Sequence, residues 1–249
     1  MLKSKLFLSA AVLALSFIFL MGCDDDNSIN PAPATTSIRV IHASYDAPAV
    51  DVRVDGSVAI TNLAYGESSG YAELNTGTRN IAVTPAGSSS SVVINADLNL
   101  DDSTEYTVYA VNVLNSIEPI VSVDDRAGRA DKALIRFIHA SPDAPAVDIK
   151  LNSGSGATVF SNTAFKDIED YAAVDAGSYV FAVTPAGSNS EVAVFNPVDV
   201  QNGSLYTVIA LGTLNTNDQY PFIVRVFVDN GSGNASLDLS AGSSNEMRP

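Results

Sequence analysis

The chain has 249 residues, with 28 acidic against 13 basic side chains, a formal net charge of −15 and a single cysteine. So acidic a chain excludes nucleic acid as a partner, because phosphates are bound by patches of Lys and Arg. A single cysteine excludes an internal disulfide, so any folded domain must be stabilised by its own core.

The first residues have the parts of a signal peptide for export. Lys3 and Lys5 supply a positive start, and an apolar run extends from Leu6 to Leu20. A membrane-spanning helix needs about 20 apolar residues, so this run is short for a stable span. The pattern therefore predicts a cleaved signal rather than a transmembrane anchor.

The end of the apolar run reads Leu-Met-Gly-Cys and resembles the lipobox of bacterial lipoproteins. The resemblance implies cleavage between Gly22 and Cys23, a signal peptide of residues 1–22, and acylation of Cys23 by fatty acids such as palmitate. The alternatives are an uncleaved anchor or an ordinary secretory signal with a chance cysteine. Because Cys23 is the only cysteine and lies where a lipobox requires it, we expect a lipid anchor whose partner is the membrane.

Residues 23–36 predict a flexible tether between the lipid and the folded body. The segment after Cys23 reads DDDNSINPAPATT, which has two prolines and no apolar periodicity. Thirteen residues reach at most about 45 Å when fully extended. The tether would hold the body close to the cell envelope, on the periplasmic or extracellular face, without specifying which membrane.

The rest of the chain is an internal duplication. Residues 38–51 read IRVIHASYDAPAVD and residues 135–148 read IRFIHASPDAPAVD, while AVTPAGS occurs at 82–88 and again at 182–188. The offset grows from 97 to 100 residues between these blocks, which predicts a small insertion near residues 152–157. We expect two domains, at residues 37–128 and 129–240, followed by a polar tail at 241–249.

Each copy has the pattern of short strands. Val50, Val52 and Val54 alternate with polar residues, and turn residues recur at short intervals, as in Asp55-Gly56. No helical stripe is evident, so the sequence predicts an all-β fold of two tandem immunoglobulin-like, Greek-key β-sandwiches. Tyr106 and Tyr206 each follow a polar turn and are candidates for a tyrosine corner, with an ordinary core tyrosine as the alternative. The polar linker between the copies predicts limited relative motion and separately folding halves.

The repeated phrase His-Ala-Ser-x-Asp-Ala-Pro, followed by Val-Thr-Pro-Ala-Gly and a Tyr-Thr-Val strand, resembles the domain-of-unknown-function family 4397. The resemblance covers about residues 37–228. It implies a β-sandwich and an envelope location, often as a lipoprotein, and it brings no activity, substrate or catalytic residue.

The only two histidines, His42 and His139, open this phrase in each copy, and Ser and Asp follow. A Ser-His-Asp hydrolase is a remote alternative. Side chains two positions apart on a strand lie roughly 6.6 Å apart, whereas a catalytic base lies within about 3.2 Å of its nucleophile. We therefore expect no enzyme.

The acidic residues of the phrase leave two interpretations open. His42, Asp46 and Asp51, with His139, Asp143 and Asp148 in the second copy, could form a binding site or a structural turn. A metal ion at this turn, or calcium at the acidic pairs 101–102 and 124–125, is a weaker alternative, since no EF-hand spacing is present. We favour the structural turn, in which Asp accepts backbone N–H groups.

The function predicted from sequence is a non-catalytic, lipid-anchored envelope protein that displays two β-sandwich modules to an unidentified protein or glycan. The alternative is a calcium- or other cation-dependent adhesion or stalk module. The two differ in whether a chelator changes the stability of the body.

Overall fold

The computed structural model describes residues 33–215, 219–230, 233 and 235–239. Cys23, the predicted signal peptide, the tether up to residue 32 and the polar tail from 241 lie outside the described residues, and their assignments stay predictions. The described strands are numbered β1–β19 in chain order. β1–β8 form the first repeat, β9–β19 form the second repeat, and residues 124–132 form the linker.

The first repeat is a sandwich of two four-stranded sheets, ordered β4-β1-β7-β8 and β3-β2-β5-β6. β1 and β7 are parallel, and the other neighbours are antiparallel. The strands are β1 (Thr35–His42), β2 (Val50–Val54), β3 (Ser57–Leu63), β4 (Ala72–Asn75), β5 (Gly77–Pro85), β6 (Ile94–Leu100), β7 (Glu105–Val111) and β8 (Glu118–Val123), with one 3₁₀ turn at Leu114–Ser116.

The second repeat has the same topology, but the counterparts of β5 and β6 are each divided in two and one strand, β19, is added. Its sheets are β12-β9-β17-β18-β19 and β11-β10-β14-β15, with a β13-β16 pair continuing the latter layer. The strands are β9 (Ala133–His139), β10 (Val147–Leu151), β11 (Thr158–Thr163), β12 (Ala172–Val174), β13 (Gly177–Tyr179), β14 (Phe181–Pro185), β15 (Ala193–Val194), β16 (Val198–Val200), β17 (Leu205–Leu211), β18 (Ile223–Val228) and β19 (Ser236–Leu239). The all-β sandwich fold predicted from sequence is confirmed.

Local sequence explains the hairpins. Asp55 and Gly56 both have positive φ, at 50° and 81°, as a two-residue turn between twisted strands requires. The corresponding β10–β11 connection is longer and spans residues 152–157, so the predicted insertion is confirmed. Lys150 holds this longer turn, because its buried ammonium donates to the carbonyls of Gly154 and Ser188.

The predicted tyrosine corner is also confirmed in both repeats. The hydroxyl of Tyr106 accepts the backbone N–H of Asp101 at 3.1 Å, and that of Tyr206 accepts the N–H of Gln201 at 3.3 Å. The partner lies five residues before each tyrosine. The bond ties the strand entry to the preceding turn.

Three cores hold the described body together. Each sandwich has its own, and a third lies between the repeats, where the outer faces of β1 and β7 meet those of β9, β17 and β18. We call this third cluster the inter-repeat core: Ile41, Ala43, Tyr109, Val111, Ile138, Ala140, Ile209, Leu211 and Phe227. Its strands are buried on both faces, which is why their sequences are apolar at successive positions.

The inter-repeat core was not expected from a short polar linker. The described residues from Pro33 onward belong to one compact unit. The proposed boundary at residue 128 and separate folding of the halves stay predictions, but a separated half would expose this cluster. In the part of the chain that is described, no helix has the length and apolarity to cross a bilayer.

Candidate functional site

The His-Ala-Ser-x-Asp-Ala-Pro phrase forms the same turn in both repeats. His42 Nε2 lies 3.0 Å from the Pro48 carbonyl, and His139 Nε2 lies 3.1 Å from the Pro145 carbonyl. A carbonyl can only accept, so each ring donates from Nε2 and ties the end of its strand to the proline six residues later. Both histidines are fully buried.

Burial keeps these rings neutral. It lowers the pKa of both His42 and His139 below the ordinary value, and the proline carbonyls only partly oppose the shift. The backbone N–H of Ser44 points at His42 Nδ1 from 3.4 Å, which requires that nitrogen to carry no proton. The geometry is that of a structural ring and not of a base held beside a nucleophile.

Asp46 and Asp143 accept backbone N–H groups from a different loop, not from their own turn as the sequence suggested. Asp46 accepts the backbone N–H of Leu114 at 2.7 Å, in the loop between β7 and β8. Asp143 accepts the equivalent N–H of Leu214 at 3.0 Å and also the hydroxyl of Thr213. Each carboxylate therefore joins two loops about 70 residues apart in sequence.

Asp51 and Asp148 make a second pair of equivalent bridges. Asp51 accepts the backbone N–H groups of Asn62 and Gly87, at 2.8 and 2.9 Å. Asp148 does the same with Asn162 and Gly187, at 2.8 and 3.0 Å. The two backbone donors lower the pKa of Asp51, the Asn62 N–H contributing most.

These contacts leave the phrase little capacity for chemistry. Ser141 donates to the Gly212 carbonyl at 2.9 Å, and Ser44 Oγ is buried. Within residues 33–215 and the other described segments, no three His, Cys, Asp or Glu side chains are grouped to hold a metal. Whether the six named residues also contact a ligand stays a prediction.

The structure contains a polar constellation that sequence reasoning missed. Arg39 on β1 pairs with Asp229 after β18 at 2.7 Å, and Arg136 on β9 pairs with Asp124 after β8 at 2.6 Å. Arg39 and Arg136 are equivalent in the two repeats, as are the two aspartates, so each repeat gives a cation to the other and receives an anion. We call these the swapped ion pairs.

Two threonines link the swapped ion pairs to each other by hydrogen bonds. Thr107 links Arg39 to Asp124, since it accepts from the guanidinium at 2.9 Å and donates to the carboxylate at 2.5 Å. Thr207 links Arg136 to Asp229 in the same way, at 2.8 and 2.6 Å. The two pairs therefore form one network across the repeats.

Two tyrosines complete this network. Tyr71 donates to Asp124 at 2.7 Å and Tyr171 donates to Asp229 at 2.6 Å, and their rings lie under Arg39 and Arg136. Burial favours the uncharged form of both Tyr71 and Arg39. It raises the pKa of Tyr71. For Arg39, burial alone would lower the pKa, but the acidic groups around it, first among them Asp229, outweigh this effect and raise the pKa.

One sequence signal could have revealed the network. Arg39 and Arg136 interrupt otherwise apolar strands at the same position in both copies, and a buried arginine requires an anion. The partners are 190 and 12 residues away, so the sequence alone does not say which aspartate each arginine uses.

A cluster of three half-buried tyrosines also joins the repeats. Tyr65 and Tyr220 meet edge to face with ring centres 5.1 Å apart, and Tyr45 lies 6.5 Å from Tyr220. Tyr65 also packs edge to face against His42, with ring centres 6.3 Å apart. The cluster therefore connects the first repeat's histidine turn to the second repeat.

Comparison with known proteins identifies two matches to one family. The sequence profile of DUF4397, a domain of unknown function, matches residues 36–150 and again residues 133–245. No curated protein sequence matches the chain significantly.

Solved structures show only distant similarity. A family CBM26 module of Eubacterium rectale Amy13K, solved with maltoheptaose, has 10% identity and a TM-score of 0.23, with 81% of this chain and 100% of that chain covered. The Bacillus anthracis TIE protein has 14% identity and a TM-score of 0.24, over 83% of this chain and 44% of that one. A protein of Parabacteroides distasonis, described as a candidate cell adhesion protein, has 11% identity and a TM-score of 0.22, over 83% and 98%. TM-scores this low do not establish a common fold.

Proposed function

Because the chain belongs to the DUF4397 family, whose name states no activity, we propose its function from its own residues. It is a non-catalytic protein of the bacterial envelope, anchored by lipid at Cys23, that displays two sandwiches as one rigid body for contact with a protein or glycan partner. The lipobox and the tether support the anchor, and the geometry of the body supports the rest.

The observation that carries the proposal is the use of the repeated phrase inside the fold. Each of the four aspartates, Asp46, Asp51, Asp143 and Asp148, accepts a backbone N–H, and both histidines donate to a proline carbonyl. Residues that join loops in this way hold the backbone of those loops in one conformation. The swapped ion pairs then fix the orientation of one repeat against the other.

The partner's contact surface is best placed at the tyrosine cluster. Tyr is enriched in binding hot spots because its ring gives large contact area and its hydroxyl a hydrogen bond. Tyr45, Tyr65 and Tyr220 come from both repeats, so only the assembled body presents them together.

The anchor is tested by metabolic labelling with a palmitate analogue. Wild-type chain should appear as a shortened, labelled band in the membrane fraction, and Cys23→Ala should remain an unlabelled precursor. A Cys23→Ala chain that is still shortened and labelled would contradict the lipobox assignment.

The structural role of the phrase is tested by comparing stability with partner capture. His139→Ala and Asp143→Ala should lower the melting temperature, while Tyr220→Ala should lower it less and should reduce recovery of partners from detergent-solubilised envelopes. If the first two variants melt like the parent and lose the partner, the phrase is a binding site and the proposal is wrong.

The cation-dependent alternative gains no support from the described residues. Calorimetry of the purified chain with chelator and with added calcium tests it directly. A shift of the unfolding midpoint between the two conditions would favour that alternative over the proposal.

A further inference from the structure

The outer edge of the first repeat differs from the equivalent edge of the second. Val121 and Val123 on β8 are 38% and 65% exposed, and they are among the few large apolar side chains so exposed in the described chain. Their counterparts on β18, Val226 and Val228, are 3% exposed and half-buried. The registers establish the equivalence, since Val121 pairs with Val108 and Val226 pairs with Val208.

The second repeat is closed because a further strand covers its edge. β19 pairs antiparallel with β18, with Leu239 opposite Val224, and Leu239 is buried in the sandwich core. The N–H of Val228 donates to Ala235 as the chain turns into this strand. This edge of the fold is therefore built to accept an antiparallel strand.

The first repeat presents the same backbone groups without a strand on them. Asp124 N–H bonds inward to Glu105 on β7, so the N–H and C=O groups of Val121 and Val123 point outward. Within the described residues β8 pairs only with β7. Beside Val123 a hollow of about 240 Å³ reaches Tyr171, and Gly233 occupies the corresponding place against Tyr71 in the other half.

We propose that β8 binds a second copy of this chain, strand against strand, about a two-fold axis at Ser122. Pairing about Ser122 places Val121 of one copy opposite Val123 of the other, and their outward N–H and C=O groups bond to each other. The same register places the exposed valines of each copy on those of the other, so both copies cover the apolar side chains of this edge. The inference does not depend on the proposed function.

The sequence of β8 limits the contact to a dimer. A two-fold pairing uses the same edge on both copies and leaves no free edge for a third. Pro119 has no N–H and falls opposite Asp125, outside the central bonds, where the strand pairing ends. The negative net charge opposes close approach of copies, so the dimer is expected to be weak and to form where the protein is concentrated.

The test is sedimentation equilibrium of the full-length chain in density-matched detergent. The wild type should show a monomer–dimer equilibrium, and Val121→Arg should raise its Kd at least about tenfold because it adds charge to the paired strands. Val58→Arg is the matched control, since Val58 is 45% exposed on the edge strand of the other sheet. Val123→Arg replaces Val121→Arg if that variant fails to fold.

Amide hydrogen exchange locates the contact. Exchange at Val121 and Val123 should slow as the protein concentration rises through the Kd, while exchange at Val226 should not change. A chain that stays monomeric at every concentration, or a dimer that Val58→Arg weakens as much as Val121→Arg, overturns the proposal.

Discussion

The two repeats are alike in the polar network that joins them and different at their outer edges. In the swapped ion pairs they contribute equivalent arginines, aspartates and threonines to one network. At the outer edge, β18 is covered by β19, while β8 pairs with β7 alone among the described strands. The difference indicates that the swapped ion pairs constrain both copies equally, whereas the outer edges have diverged.

The largest effect should come from separating the repeats. A fragment of residues 37–128 exposes Ile41, Tyr109 and Val111 and deprives Arg39 of Asp229. It still contains Arg39 and Asp124, so two fragments can form both ion pairs about a true two-fold axis. We expect a dimer whose melting temperature rises with concentration.

Two outcomes would refine this expectation. A fragment that melts cooperatively as a monomer would support the separate folding predicted from sequence. Val121→Arg should leave the fragment dimer intact, because it lies outside the inter-repeat core, and Arg39→Ala should abolish it.

Breaking one swapped ion pair should cost about 3–5 kcal/mol, the usual penalty for leaving a buried charge without its partner. Asp229→Ala removes the anion of Arg39 and the acceptor of Thr207 and Tyr171. Asp124→Ala is the matched variant and should cost a similar amount in chemical denaturation. A large difference between the two would show that the pairs are not equivalent energetically.

Weakening β19, which covers β18, should lower the unfolding free energy strongly. Shortening a side chain at the edge of β8 should not. Leu239→Ala deletes a side chain that is 3% exposed and should destabilise by about 2–5 kcal/mol. Val121→Ala on β8 should change the unfolding free energy by no more than about 0.5 kcal/mol, measured in dilute solution. Equal costs would mean that β8 is covered in the monomer.

The bridging aspartates should differ by the number of bonds they accept. Asp143→Ala removes the acceptor of Leu214 and Thr213 and should cost about 1–3 kcal/mol. Asp46→Ala removes the acceptor of Leu114 and should cost about 1 kcal/mol. Thermal melts of the two variants test the order, and a reversed order would contradict it.

The smallest effect is a loss of stability at mildly acidic pH. Burial lowers the pKa of His42 and His139 from 6.5, so the unfolded chain binds protons more readily than the folded chain. Their contribution is complete above the unfolded pKa and is lost as the pH falls below about 6.5. The melting temperature should therefore fall between about pH 7.5 and pH 5.5, above the range in which carboxylates titrate.

The two histidines should not contribute equally to this fall. A proton on His42 Nδ1 would face the N–H of Ser44, whereas His139 Nδ1 has no hydrogen-bond partner in the described residues. His42→Gln should thus flatten the pH profile more than His139→Gln. If the melting temperature of both variants falls with pH as it does in the parent, groups other than the histidines cause the acid sensitivity.

Sequence predicted the parts of the fold that depend on local pattern. Alternation at Val50 and Val52, the Asp55-Gly56 turn and the strand-entry Tyr106 each determine structure within a few residues, and each prediction is confirmed. Because the same patterns recur in the second copy, the second sandwich was predicted in the same way.

Sequence did not predict how the two sandwiches combine. Arg39 could pair with either Asp124 or Asp229 by residue type alone, and only the packing of the sheets selects the second. β19 was missed because Ser236–Leu239 is a four-residue segment just before the polar tail, too short for its alternation to be distinctive. The bridging role of Asp46 was missed because its partner is 68 residues away.

The inter-repeat core has a consequence for how the chain responds to proteolysis. The linker between the repeats is largely exposed, with residues 127–131 accessible to proteases. A cut there severs the chain but leaves the swapped ion pairs and the buried apolar side chains in place. The second repeat would therefore not be released, because noncovalent contacts alone would hold it to the first repeat.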